Sequence, residues 1–233
     1  MLPVTRTAEL YHIGSLNKNR MKGESQESNF LSASLTPESW EFIARLGGEP
    51  LLILKKEDAT FVDFMSITDD VMRGLIDEAM SDGLLIPATS FRAWYHDGEA
   101  DDWRYMTFWD RDKAEYEVED QEPDGAPNGV LVEEIQGHRL TETGIELLPR
   151  LPDDEAFIRS AVVMLHVLKN PDLYDGVYWD EDDDPVIMSA PRYGISPLVL
   201  NDFVVEGPHG ELSFDEYVSS VAENYDLSDD FSV

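Results

Sequence analysis

The chain has no cysteine among its 233 residues, which excludes disulfide staples, thiolate zinc sites and a cysteine nucleophile. Basic residues are scarce: 17 Lys and Arg stand against 49 Asp and Glu, a formal net charge of −32. That balance opposes a polyphosphate backbone or an anionic bilayer as partner. Solubility, life at high salt, or mimicry of a polyanion on a basic protein surface would each account for it. No apolar run approaches the roughly 20 residues that span a bilayer, and "MLPVTRTAEL" lacks the apolar stretch of a secretion signal. The expectation is a soluble, cytoplasmic protein. Gly-x-Gly-x-x-Gly, Walker and Gly-x-Ser-x-Gly patterns are all missing, and with them the usual phosphate cradles and the nucleophile elbow.

The chain has enough apolar residues, 42% of the total with 10 Phe, 9 Tyr and 5 Trp, to bury a substantial core without metals. Its pattern is mixed α+β. Strands are expected over 9–13, in "NFLSASL", in "PLLILKK", in "VLVEEIQ", in "DGVYWDE" and in "LNDFVVEG". Thr36 and Pro37 open a short helix that Gly47 and Gly48 end, and "TDDVMRGLIDEAMSDG" reads as an Asp-capped helix closed by Gly83. Its inward stripe is either Val71, Leu75 and Ala79 or Met72, Ile76 and Met80. Residues 91–121 alternate aromatics with charges and suit a hairpin turning at "HDGEADD". "DEAFIRSAVVMLHVLKN" is a helix burying Phe157, Ala161, Met164, Leu165 and Leu168, and the tail carries an amphipathic helix with Phe214, Tyr217, Val218 and Val221 inward.

Two tempting motifs fail on inspection. "DEDDDPVIMSAP" puts Pro185 where a calcium loop needs glycine and Pro191 where it needs its last glutamate. The aromatic run Trp94, Tyr95, Trp103, Tyr105, Phe108 and Trp109 has too few cations around it for a base-stacking platform, so packing explains it better.

Three segments far apart in sequence share an arrangement: "LYHIGS", "NFLSASLTPESWEFIARLGGEPLLIL" and "LYDGVYWDEDDDPVIMSAPRYGISPLVLNDFVVE". Together they resemble the ADP-ribosyltransferase-like fold, over residues 9–64 and 155–206. The resemblance implies an α+β domain over 1–207 whose split pair of antiparallel and mixed sheets forms an NAD cleft, with an insertion at about 85–150 and an acidic helix and tail over 208–233. It also implies the roles of residues. His12 holds ribose hydroxyls on the adenosine side and contributes to catalysis, while Gly14 meets the nicotinamide amide. Ser32 and Ser34 shape the nicotinamide-ribose pocket, and Trp40 or Tyr178 stacks on the ring. Lys18, Arg20 and Lys22 supply positive charge for the pyrophosphate.

Cleaving the nicotinamide–ribose bond builds positive charge on the sugar, so the reaction needs a fixed carboxylate beside it. Glu181 and Asp180 match that position, although the family's Glu-x-Glu or Gln-x-Glu signature is absent, and Glu133 and Glu134 are second candidates. The implied function is ADP-ribosyl transfer from NAD, used as substrate, to a basic target such as a nucleic-acid-binding protein, as in a toxin or phage effector. The alternative is a non-catalytic acidic protein that occupies a basic partner surface.

Overall fold

The computed structural model describes residues 1–13, 16, 30–37, 51–98, 102–123, 125–149, 157–179, 192–208 and 210–226, the last six without side chains. The fold is α+β. It divides into two compact units, one of Met1–Arg73, Leu148–Arg150 and Val163–Val233, the other of Gly74–Leu147 and Leu151–Val162.

The first unit is built on a seven-stranded sheet. Its strands are β1 (Val4–Ile13), β2 (Leu31–Ser34), β3 (Leu51–Asp63), β7 (Gly176–Trp179), β8 (Arg192–Ile195), β9 (Val204–Gly207) and β10 (Gly210–Ser213), in the order β1-β2-β8-β7-β3-β9-β10. Because β1 also pairs with β3, the strands β1, β2, β8, β7 and β3 form a closed ring of pairings. Side chains alternate across a strand, so one face of each strand turns to a common core. Leu10, Leu31, Ala33, Leu52, Leu54, Phe61, Tyr193 and Ile195 belong to that core.

β3 reaches beyond the expected "PLLILKK" because a bulge lets it change partners. Lys55 pairs with Glu9 and Ala59 with Thr7, and between them Asp58 takes a φ of 55°. Before the bulge β3 pairs antiparallel with β9; after it, Phe61–Asp63 pair parallel with β7. A change of partner leaves backbone groups in need of satisfaction. Asp175 supplies it. This buried carboxylate accepts from the Thr60 N–H at 2.7 Å and from Lys56 Nζ at 2.6 Å, while its own N–H donates to the Thr60 carbonyl at 2.7 Å. Burial acts to lower the Lys56 pKa, but its hydrogen bonds to Asp175 and Asp202 outweigh it, and the ammonium is held above its usual range.

The second unit has a three-stranded antiparallel sheet, β5-β4-β6, from β4 (Leu85–Asp97), β5 (Asp102–Phe108) and β6 (Val132–Leu140). The expected hairpin is there, but the chain after it turns into a helix. In place of the rest of the aromatic-charged alternation, Asp110 caps α2 (Arg111–Glu117), accepting from the N–H groups of Asp112 and Lys113. Ala114 and Val118 on this helical segment pack with Ala93, Phe91, Tyr95 and Phe108.

α1 (Asp69–Ser81) ends as expected at Gly83, whose φ of 71° allows the 6→1 bond from Leu84 N–H to the Ala79 carbonyl and the 5→2 bond from Gly83 N–H to Met80. It buries Met72, Leu75 and Ala79, so its stripe draws on both expected alternatives. α3 (Glu142–Leu147) is a short helix that Thr141 caps, accepting from the Gly144 N–H at 3.2 Å. α4 (Ile158–Lys169) is buried over most of its circumference, including Ile158, Ala161, Val162, Val163, Met164, Leu165 and Val167, whereas Phe157 and Leu168 are only half-buried. α5 (Phe214–Asp226) opens with a capping box, Ser213 N–H donating to Glu216 at 2.9 Å and Glu216 N–H to the Ser213 hydroxyl at 3.4 Å. Hydrogen bonds from Ser213 hold the Glu216 carboxyl below its ordinary range. Phe214, Tyr217 and Val218 face inward as expected, and Val221 lies outside the described side chains.

Candidate functional site

The first candidate, His12, comes near the end of β1, two residues beyond the core residue Leu10 and on the same side of the strand. It is half-buried, and its Nδ1 lies 2.7 Å from the Ser32 carbonyl oxygen on the neighbouring strand. A carbonyl only accepts, so Nδ1 carries the proton, and the neutral ring keeps its lone pair on Nε2. Burial pushes the His12 pKa below its ordinary value, against the opposing pull of the Ser32 carbonyl. The imidazole is therefore held neutral near pH 7.

The sign of this shift gives a prediction. A histidine whose folded pKa is depressed contributes fully above its unfolded value, near 6.5, and costs stability as pH falls below it. Urea midpoints compared at about pH 7.5 and about pH 5.5 should fall further for the wild type than for His12→Gln, because the carboxylate contributions cancel between the two proteins. Equal falls would mean that His12 titrates normally.

Ser32 and Ser34 lie on the neighbouring strand, where the pleat directs Leu31 and Ala33 to the core and the two serines to the opposite face. Ser32 thus meets His12 through its backbone. Ser34 is buried and donates its hydroxyl to the Thr36 carbonyl at 2.6 Å, closing the turn that leaves β2. Tyr178 is on β7, tilted against Tyr193 of β8 with ring centroids 4.8 Å apart, and packs on the core side. His12 and Tyr178 therefore share the core side of the sheet, and the serine hydroxyls do not. Gly14, Arg20, Trp40, Asp180, Glu181, Lys18 and Lys22 lie outside the described residues. Glu133 and Glu134 are on β6 of the second unit; Glu133 pairs with Arg92.

One further row of residues has no signal in the sequence. Register aligns Ser34 with Arg192 of β8 and Arg192 with Trp179 of β7, next to the 180–191 segment that contains both candidate acids. Alternation places these three side chains on the Ser32 face. The same face passes over Gly194, where an added Cβ would meet the Trp179 ring at 2.8 Å. "PRYGIS" has no alternation of its own, so only its pairing with two other strands reveals it.

Among the described residues, no group of three or more His, Asp or Glu is placed to hold a metal ion, and no helix is long and apolar enough to cross a membrane. Comparisons with family models, with curated proteins and with solved structures return no match.

Proposed function

We propose that the chain transfers ADP-ribose from NAD to a basic target protein. One observation carries this reading: the segments that resemble the ADP-ribosyltransferase-like fold come together in one sheet. β1 with His12 lies beside β2 with Ser32, and β2 is joined through β8 to β7, which leads into Asp180 and Glu181. A neutral imidazole with Nε2 as acceptor fits a ribose hydroxyl better than an imidazolium would. In this reading the NAD cleft opens along the sheet, and the carboxylate of Glu181 or Asp180 faces the ribose. The nicotinamide–ribose bond breaks with its electron pair leaving on nicotinamide, and the carboxylate stabilises the positive charge left on the sugar. An acceptor atom of the target then forms the new bond at that carbon and releases its proton.

The excess of 32 negative charges supports a basic target, drawn in by long-range attraction. It equally supports the second reading, a non-catalytic protein that occupies such a surface. Incubation with labelled NAD and a cell extract separates the two. Transfer by the wild type should fall on the order of 100- to 1000-fold in Glu181→Gln, the usual cost of losing one transition-state partner. His12→Ala should lose transfer mainly through weaker NAD binding. Absence of both label transfer and nicotinamide release in the wild type would sink the enzymatic reading. Transfer surviving both substitutions would keep the activity and discard these residues.

A further inference from the structure

We infer that the three-stranded sheet of the second unit carries a binding site for a small aromatic carboxamide, on the face opposite α2. α2 packs on the face that carries Phe91, Ala93 and Tyr95. Alternation puts Ser90, Arg92 and Trp94 on the other face. Register sets Arg92 between Thr107 and Glu133, and Trp94 beside Tyr105.

Among the described residues, four polar atoms on that face are buried and without a hydrogen-bond partner: Ser90 Oγ, Arg92 Nε, Trp94 Nε1 and Glu133 Oε2. Buried polar groups in a folded protein are paired as a rule, so four orphans on one face mark a place where something else completes the bonding. Ser90 itself is 0% exposed. Arg92 and Glu133 do not satisfy each other, since Nη1 and Oε2 stand 3.7 Å apart, beyond hydrogen-bond reach. The guanidinium instead lies against aromatic rings, 4.4 Å from the Tyr105 centroid and 5.6 Å from that of Trp94.

These groups define the ligand by elimination. One cation and one anion side by side leave the cluster neutral, so it selects neither an anion nor a cation. The unpaired N–H groups of Arg92 and Trp94 only donate, and the Glu133 carboxylate only accepts. A carboxamide offers an acceptor oxygen and a donor N–H in one plane, which answers both. Tyr105 is half exposed, and the ring that Arg92 leaves as it rotates gives a flat body an aromatic surface to rest on. Entry is by rotation of Arg92 and Glu133, whose side chains keep 28% and 30% of their surface exposed and whose pairing is too loose to resist.

The test is a titration of the full-length protein followed by the indole N–H resonance of Trp94, identified by its loss in Trp94→Phe. Benzamide, with about nine heavy atoms, should saturate a shift of that resonance in the low millimolar range. Binding should weaken about tenfold in Arg92→Lys, which keeps the charge but loses the Nε donor, as for one lost hydrogen bond to a charged group. Benzoate and benzylamine should bind more weakly than benzamide by a similar factor. The inference is overturned if benzamide causes no saturable shift in the folded wild type, in which case water completes the cluster. It is equally overturned if benzoate binds as well as benzamide, or if Arg92→Lys binds benzamide unchanged. This site is independent of NAD use in the first unit, so either reading can fail alone.

Discussion

Gly176→Ala should prevent the first unit from folding, or cost it about 3 kcal/mol or more, at the upper end of what overpacking does in cores. A Cβ at position 176 would lie 2.0 Å from the Gly194 carbonyl oxygen, 2.9 Å from its carbon and 3.0 Å from Phe61 Cδ1. The first two neighbours are backbone of β8, which is hydrogen-bonded on both sides, to β7 and to β2. No rotamer change relieves such a clash, so the strand pairing itself has to give. Gly74→Ala is the matching control. That glycine is inside α1 with nothing within 4 Å of an added Cβ. There the same substitution should add about 0.5–1 kcal/mol by restricting the unfolded chain and improving helix propensity. Urea denaturation followed by near-ultraviolet circular dichroism reads both. A Gly176→Ala protein as stable as the wild type would show that β7 and β8 do not approach as closely as described.

The second large effect is expected at Asp175. Asp175→Ala removes the partner of a partly buried ammonium and the acceptor for a strand N–H in one step, and should cost about 3 kcal/mol. The figure is placed at the low end for a broken buried pair because Lys56 keeps Asp202 at 3.0 Å. Asp175→Asn retains an acceptor for Thr60 and should lose roughly half as much. Equal losses in the two variants would assign the whole effect to charge; a negligible loss in both would remove Asp175 from its place at the partner change of β3. Lys56→Met separates the contributions further, since it leaves the Thr60 bond intact.

Sequence patterning reached the long, regular elements and failed where a neighbour decides. α1 was legible because its acidic first turn, its apolar stripe and Gly83 agree. α5 had its Ser-x-x-Glu box in plain view at 213–216, and α2 had Asp110, a capping signal masked by the aromatic alternation before it. The second half of β3 was not legible: "EDAT" carries no strand pattern, and the strand runs on through it by pairing with β1, while Asp175, Asp202, Glu206 and Glu211 meet its two lysines. Four-residue β8 and β10 carry no period and exist by virtue of their partners. At the candidate site, a histidine on an apolar strand was visible, but the bond to Ser32 depends on the pairing of β1 with β2. The orphaned polar face of the second sheet was hidden for the same reason, since the sequence showed Arg92 and Trp94 only as members of an aromatic run and Glu133 only as a second candidate acid on a strand.

The closed ring of strands also fixes an order of events during synthesis. Leu31 pairs with Ile195 and Phe61 with Gly176, so the first unit brackets the second in the chain. The ring cannot close until Arg192–Ile195 has emerged from the ribosome, whereas all three strands of the second sheet are complete by Leu140. Pairings this distant are slow to form, and until they do, the edges of β1, β2 and β3 are exposed to other chains. The net charge of −32 then acts during synthesis as well: nascent chains with a strong common charge repel one another while they wait for their last strands.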